Sequence, residues 1–165
     1  MLDQSKVSEL NEQLREADPK DILDQLEELL PNTAISFSGA EDVLLIEFTK
    51  KLVNPPTIFT LDTGRLHPET YRFIEKVRNH YGRPIEALFP NPDDVNKLVK
   101  TKGLYSFYED GHEECCGIRK IAPLRAHLAQ LDGWVTGQRR DQSPGRARVA
   151  VFEADSSFST EAHAL

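Results

Sequence analysis

The sequence predicts an α/β fold: a mostly parallel sheet covered by helices on both faces, with a helical segment ahead of it. Three observations predict it. Short β-prone runs alternate with longer stretches whose apolar residues recur at helical spacing. Turns containing Gly, Ser, Asp, Thr or Pro separate the strand-like runs from the helices that follow. The chain, 165 residues with 39% hydrophobic and 28% charged residues, fits one domain that buries a core without disulfide staples.

Taken in order, the first 30 residues place Ile22, Leu23, Leu26, Leu29 and Leu30 on a helical stripe behind Pro19, a residue suited to a helix start. This segment reads as an N-terminal helical lid. Residues 34–37 form a β-prone run, Ser38-Gly39 a tight turn, and residues 40–52 a helix carrying Val43, Leu44, Ile46, Phe48 and Leu52. A second unit follows, with a strand over 57–61, a loop over 62–67 and a helix from Pro68 that buries Tyr71, Ile74 and Val77. The third has a strand over 85–89 and a helix after Pro92 with Val95, Leu98 and Val99. Over 116–131, Ile118, Ile121, Leu124, Leu128 and Leu131 predict a helix that Pro123 bends or restarts. Trp134-Val135-Thr136 and residues 149–153 are the remaining strand candidates. Residues 31–155 thus read as one α/β domain, and 156–165, small, polar and without periodicity, as a disordered or truncated tail beyond which the natural fold is expected to continue.

Composition narrows the function classes. A net charge of -7 argues against broad nucleic-acid binding, which requires basic residues to neutralise phosphates. No apolar run approaches the ~20 residues of a membrane span, and the polar start has no signal-peptide pattern, so a cytoplasmic protein without a membrane partner is expected. The positive charge is clustered: Arg119, Lys120 and Arg125 in one segment, Arg139, Arg140, Arg146 and Arg148 in another, enough for one cationic pocket for a small anion.

Candidate sites fall at the carboxyl ends of predicted strands, where open α/β sheets bind ligands. Ser36-Phe37-Ser38-Gly39-Ala40-Glu41-Asp42 sets hydroxyls and a glycine at a helix start, where free N–H groups favour an anion, although such turns are commonly plain caps. Asp62-Thr63-Gly64-Arg65 follows the second strand, and Gly137-Gln138-Arg139-Arg140 follows the Trp134 strand. Cys115 and Cys116 are the only cysteines. Neighbouring Cα atoms lie ~3.8 Å apart, too close for an ordinary disulfide. Arg119 and Lys120 provide a positive setting that suits thiolates as metal ligands. A [4Fe–4S] cluster needs four thiolates, so two would come from elsewhere. An inert pair, or zinc with His112 as a third ligand, remain open readings of the same residues.

Four segments in register go further. Ser36 to Asp42, Leu61-Asp62-Thr63-Gly64-Arg65-Leu66-His67-Pro68-Glu69-Thr70, Cys115-Cys116-Gly117-Ile118-Arg119-Lys120 and Thr136-Gly137-Gln138-Arg139-Arg140-Asp141-Gln142-Ser143 together resemble the assimilatory adenylyl-sulfate reductases. Those enzymes group with the phosphoadenylyl-sulfate reductases in the adenine-nucleotide α-hydrolase-like superfamily. The resemblance runs over residues 21–158. It implies a nucleotide-binding domain in which Ser36, Ser38 and Gly39 line the phosphosulfate end of the ligand and Leu61, Asp62, Thr63, Gly64 and Arg65 border the adenosine. Gly137, Arg139 and Arg140 would hold nucleotide and phosphate, and Lys120 would stand between cluster and substrate. Cys115 and Cys116 would be two of four ligands to a [4Fe–4S] cluster, a feature that goes with adenylyl sulfate rather than 3′-phosphoadenylyl sulfate as substrate. The implied reaction is thioredoxin-dependent reduction of adenylyl sulfate to sulfite and AMP through an S-sulfocysteine, on a catalytic cysteine expected beyond Leu165. The alternatives are a reductase of the 3′-phosphorylated substrate, an ATP-pyrophosphatase-type enzyme, and a non-catalytic adenylate-binding module forming a homo-oligomer with a cluster shared between subunits.

Overall fold

In the computed structural model, which describes residues 4–155 together with Ser157 and Phe158, helices and parallel strands alternate along the chain. The order is α1 (Gln4–Gln13), α2 (Pro19–Leu29), β1 (Thr33–Ser36), a 3₁₀ turn (Ala40–Asp42), α3 (Val43–Thr49), β2 (Thr57–Leu61), α4 (Pro68–Tyr81), β3 (Glu86–Leu88) and α5 (Pro92–Lys102). Then come α6 (Ser106–Glu109), α7 (Glu113–Cys116), a π-helical turn (Gly117–Ile121), α8 (Ala122–Leu128), β4 (Gly133–Thr136) and a 3₁₀ turn (Pro144–Arg146). The expected α/β class with parallel strands is what the chain adopts. Among the described residues no helix is long and apolar enough to cross a membrane. Most of the tail expected over 156–165 lies outside the described residues.

The helix ends follow from local chemistry. Asp18 caps α2 by accepting from the Lys20 amide at 2.9 Å, with Pro19 in the first turn. Asn91 caps α5 in the same way through the Asp93 amide at 2.8 Å, ahead of Pro92. Helix α4 starts at Pro68 and stops at Gly82, whose φ of 61° is left-handed. The helix expected over 40–52 is shorter: a 3₁₀ turn precedes α3, which ends at Thr49.

The residues form two compact units, 1–58 with 131–165, and 59–130. In the first, β1 and β4 pair in parallel with Thr33 opposite Gly133 and Ser36 opposite Thr136. Its core joins Val7 and Leu10 of α1, Leu23 and Leu26 of α2, and Phe152. Each fully buried leucine contributes about 2 kcal/mol by removal from water. The strand expected over 149–153 does not form. Val151 and Phe152 instead lie along Asn11, whose Oδ1 accepts from both of their amides at 3.0 Å while its Nδ2 donates to the Phe152 carbonyl at 2.8 Å. One side-chain amide thus takes the place of a neighbouring strand. Asn11→Ala is expected to lower stability by about 2 kcal/mol, because three backbone groups lose their partner; a urea melt checks it.

In the second unit, residues 59–61 of β2 pair in parallel with β3, Phe59 opposite Glu86 and Leu61 opposite Leu88. Helices α7 and α8 run together through the π turn. Buried positions along them are Cys115, Arg119, Leu124 and Leu128, spaced four, five and four apart. The step of five is the signature of the wider π turn. Pro123, which has no N–H and whose ring crowds the carbonyl four residues earlier, explains why the helix widens just ahead of it. The expected apolar stripe is corrected accordingly: Ile121 is 40% exposed, and Arg119 is buried.

Candidate functional site

The first unit holds an open cavity of about 400 Å³ at the carboxyl ends of β1 and β4. It is lined by Ser36, Ser38, Gly39, Thr136 and Gly137, so two of the segments singled out in the sequence meet there. Trp134, whose Nε1 donates to Asp155 at 3.2 Å, and Gln142 and Arg146 also line it. Sequence reasoning had placed Trp134 only as part of a strand. Arg139 and Arg140 do not line the cavity.

Asp42 organises the first turn. Its Oδ2 accepts from the Ser38 amide at 2.6 Å, the Ser38 hydroxyl at 2.9 Å and the Gly39 amide at 3.0 Å. The carboxylate itself is buried, with Asp42 only 5% exposed. Donors that the sequence offers to an anion are therefore held by the protein's own carboxylate, in the manner of a cap. The second segment packs onto it: a Cβ at Gly137 would stand 2.1 Å from Asp42 Oδ1. Only a glycine lets the backbone approach so closely.

Glu41, one residue earlier, gathers the neighbouring cationic segment. Arg139 grips it with two prongs, Nη1 to Oε2 at 3.0 Å and Nη2 to Oε1 at 3.1 Å, and also meets Asp141 through Nε at 3.2 Å. Gln142 donates to Glu41 Oε2 at 2.7 Å and accepts from the Arg139 amide at 3.1 Å and from Arg146. Arg140 donates through Nε to the Val149 carbonyl at 2.9 Å. The Arg139 hydrogen bond, then that of Gln142, holds the Glu41 carboxyl below the ordinary glutamate range, and Glu41 in turn raises Arg139. Since the folded value is depressed, any stabilisation from this pair is fully present above the ordinary glutamate range and is lost as pH falls through the lowered value. An NMR carboxyl titration is expected to place Glu41 below an ordinary glutamate, and Arg139→Gln to bring it back up.

The second unit holds the other predicted residues. Leu61 ends β2, and the turn after it is knitted by Asp62, whose Oδ1 accepts from the Gly64 amide at 2.8 Å and the Tyr71 hydroxyl at 2.9 Å. That hydroxyl bond, followed by burial, raises the Tyr71 phenol above its usual value. Tyr71, expected in the core, is 40% exposed and serves the turn instead. Gly64 has a φ of 71°, which a side chain disfavours. The Arg65 amide donates to Thr63 Oγ1 at 3.2 Å, and its guanidinium donates to the Leu104 carbonyl. Cys115 is buried and Cys116 partly exposed, both as free thiols, and Lys120 is exposed. Two adjacent thiols suit a soft metal in donor chemistry and would make two of the four thiolates that an iron–sulfur cluster takes. Among the described residues no group of three or more His, Cys, Asp or Glu is placed to hold a metal, so His112 does not complete a zinc site with them.

An α/β architecture with parallel strands and a cavity at their carboxyl ends defines a class in which nucleotide-binding folds are prominent. The phosphoadenosine phosphosulfate reductase domain model matches residues 32–165, and the chain belongs to that family. It is 58% identical over 149 residues to an adenosine 5′-phosphosulfate reductase of Pseudomonas aeruginosa (strain LESB58), covering 89% of this chain and 56% of that protein. It is 53% identical over 152 residues to 5′-adenylylsulfate reductase 1, chloroplastic, of Arabidopsis thaliana, covering 91% and 33% respectively. The chain thus spans about half or less of the length of these relatives. Its fold matches the crystal structure of phosphoadenylyl-sulfate reductase from Candida auris in a phosphate complex, with a TM-score of 0.74 and 22% identity over 86% of this chain and 71% of that one.

Proposed function

We infer that this chain is the nucleotide-handling part of an assimilatory adenylyl-sulfate reductase. The observation that carries the reading is the cavity of the first unit, where the Ser36–Asp42 and Thr136–Gln142 segments come together at the strand ends. In this reading Ser36, Ser38 and Gly39 line the phosphosulfate end, and Gly137, Arg139 and Arg140 steady nucleotide and phosphate. The Leu61, Asp62, Thr63, Gly64 and Arg65 turn borders the adenosine. Glu41 keeps the Arg139 guanidinium ordered at the rim of this region, and a phosphosulfate reaching that guanidinium would have to compete with Glu41 for it.

Cys115 and Cys116 would hold two corners of a [4Fe–4S] cluster, with Lys120 as a nearby cation. If bound, the cluster would supply a fixed charged centre, and by the resemblance its presence goes with adenylyl sulfate rather than the 3′-phosphorylated substrate. The two cysteines of this chain are then ligands, and the nucleophile is a thiolate outside these 165 residues. That thiolate attacks the sulfate sulfur, the bond from sulfur to the phosphate oxygen breaks, and AMP leaves. A thioredoxin dithiol then attacks the S-sulfocysteine, releasing sulfite and the cysteine thiol and ending as a disulfide. Cationic groups offset the repulsion between thiolate and anion. A cytoplasmic setting, where thiols stay reduced, suits this chemistry.

The test is calorimetric titration of the chain with AMP and adenylyl sulfate, alongside anaerobic iron and sulfide analysis of the chain and of a version extended at its carboxyl end. Binding of both nucleotides, and a cluster in the extended protein, are expected. No nucleotide binding at millimolar concentration would overturn the reading, and iron in neither protein would remove the cluster and with it the preference for adenylyl sulfate.

A further inference from the structure

Arg119 is an anomaly in the buried stripe of the second unit. The two positions that follow it on that face, Leu124 and Leu128, are apolar, as burial demands. Arg119 is 9% exposed, its Nε is buried with no hydrogen-bond partner, and it takes part in none of the ion pairs found among the described residues. Burying an unpaired guanidinium is costly, and a leucine would avoid the cost. What the guanidinium does make is one hydrogen bond, Nη1 to the Thr63 carbonyl oxygen at 2.7 Å, inside the turn after β2.

Within that turn Asp62 takes the Gly64 amide and Thr63 takes the Arg65 amide. From outside it the Tyr71 hydroxyl donates to Asp62 and the Leu104 carbonyl accepts from Arg65, so Arg119 is the contact that comes from the cysteine-bearing helix. A Cβ at Gly64 would lie 3.4 Å from Arg119 Nη1, so the guanidinium sits directly against the left-handed residue. Arg119 lies four residues after Cys115 on the same buried face. The π turn that begins at Gly117 keeps both on that face and still returns Leu124 to it.

We propose that Arg119 is a positioning residue through which the cysteine-bearing helix sets the conformation of the turn at residues 62–65. A change at the cysteine pair is thereby felt at the turn that borders the nucleotide. The nucleotide part of this inference rests on the proposed function; the coupling between cysteines and turn does not.

The experiment compares wild type, Arg119→Met and Arg119→Lys by three readouts. Hydrogen exchange of the Gly64 and Arg65 amides is expected to quicken about tenfold in Arg119→Met, the worth of one charge-assisted hydrogen bond. AMP affinity is expected to fall by a similar factor. Blocking both thiols with methyl methanethiosulfonate is expected to move the Gly64 and Arg65 amide resonances in wild type and to leave them in place in Arg119→Met. Arg119→Lys, which keeps the charge and loses the planar fork, is expected to fall between the two, and it carries the comparison if Arg119→Met melts too low to study. Exchange and thiol response unchanged from wild type in both variants would overturn the proposal. Wild type that binds no AMP but shows the exchange and thiol effects would sink the nucleotide reading and leave the coupling standing.

Discussion

Gly137→Ala is expected to lower stability by about 3 kcal/mol, at the upper end of ordinary overpacking costs. The new methyl group would lie 2.1 Å from Asp42 Oδ1 and 3.3 Å from its Cγ, deep inside contact distance. Asp42 has no free way to retreat, because its carboxylate is buried and holds the Ser38 amide, the Ser38 hydroxyl and the Gly39 amide. The clash must therefore either break that cap or push β4 away from β1. A thermal melt is expected to move down by about 10 °C for a chain of this size. An unchanged melt would mean that the two segments do not meet as described.

Asp42→Ala is expected to cost about 2–3 kcal/mol, since three donors lose a charged acceptor and only water in the open cavity replaces it. Its effect should be strongly non-additive with that of Gly137→Ala. The Asp42 backbone stands 3.7 Å from the added methyl, an ordinary contact, so removing the carboxylate removes the clash. The double variant is expected to be more stable than the sum of the two losses by about 2 kcal/mol. Strict additivity, read from urea melts of all four proteins, would refute the contact. Adenylyl sulfate affinity measured on the same set asks whether the cap also shapes the proposed site.

Punctuated elements were legible in the sequence. Asp18-Pro19, Asn91-Pro92 and the span from Pro68 to Gly82 mark three helices whose caps the structure contains. The β-prone runs before the first two candidate turns and around Trp134 are strands, and two of the predicted loops do meet in one cavity. Other features were hidden for physical reasons. Residues 149–153 look like a strand because composition reports apolar β-branched content, whereas their pairing is with the side chain of Asn11, a contact across 141 residues for Phe152. The π turn shifts the helical phase by one residue, so a stripe drawn at constant spacing chooses Ile121 and overlooks Arg119. The roles of Glu41 and Asp42 were hidden because an acidic residue in a helix's first turn is favourable without any ligand. Nothing in their spacing tells that they hold the very donors and cations offered to an anion. The capping alternative for Ser36–Asp42 had been visible, and hydrogen bonding within the turn follows it.

The division of the chain has a consequence for how the protein is made. The first unit takes residues from both ends of the sequence, while the second is one continuous stretch. A ribosome releases α1, α2 and β1 long before their partner exists, since Thr33 pairs with Gly133. During that interval β1 has an open edge, and Leu23 and Leu26 lack Phe152. The continuous stretch can gather its local contacts as it emerges, but the first unit must wait for β4. Closing so long a loop is slow and leaves strand edges uncovered. The nascent chain is thus most exposed to aggregation, and most in need of a chaperone, in the window after β1 appears and before β4 does.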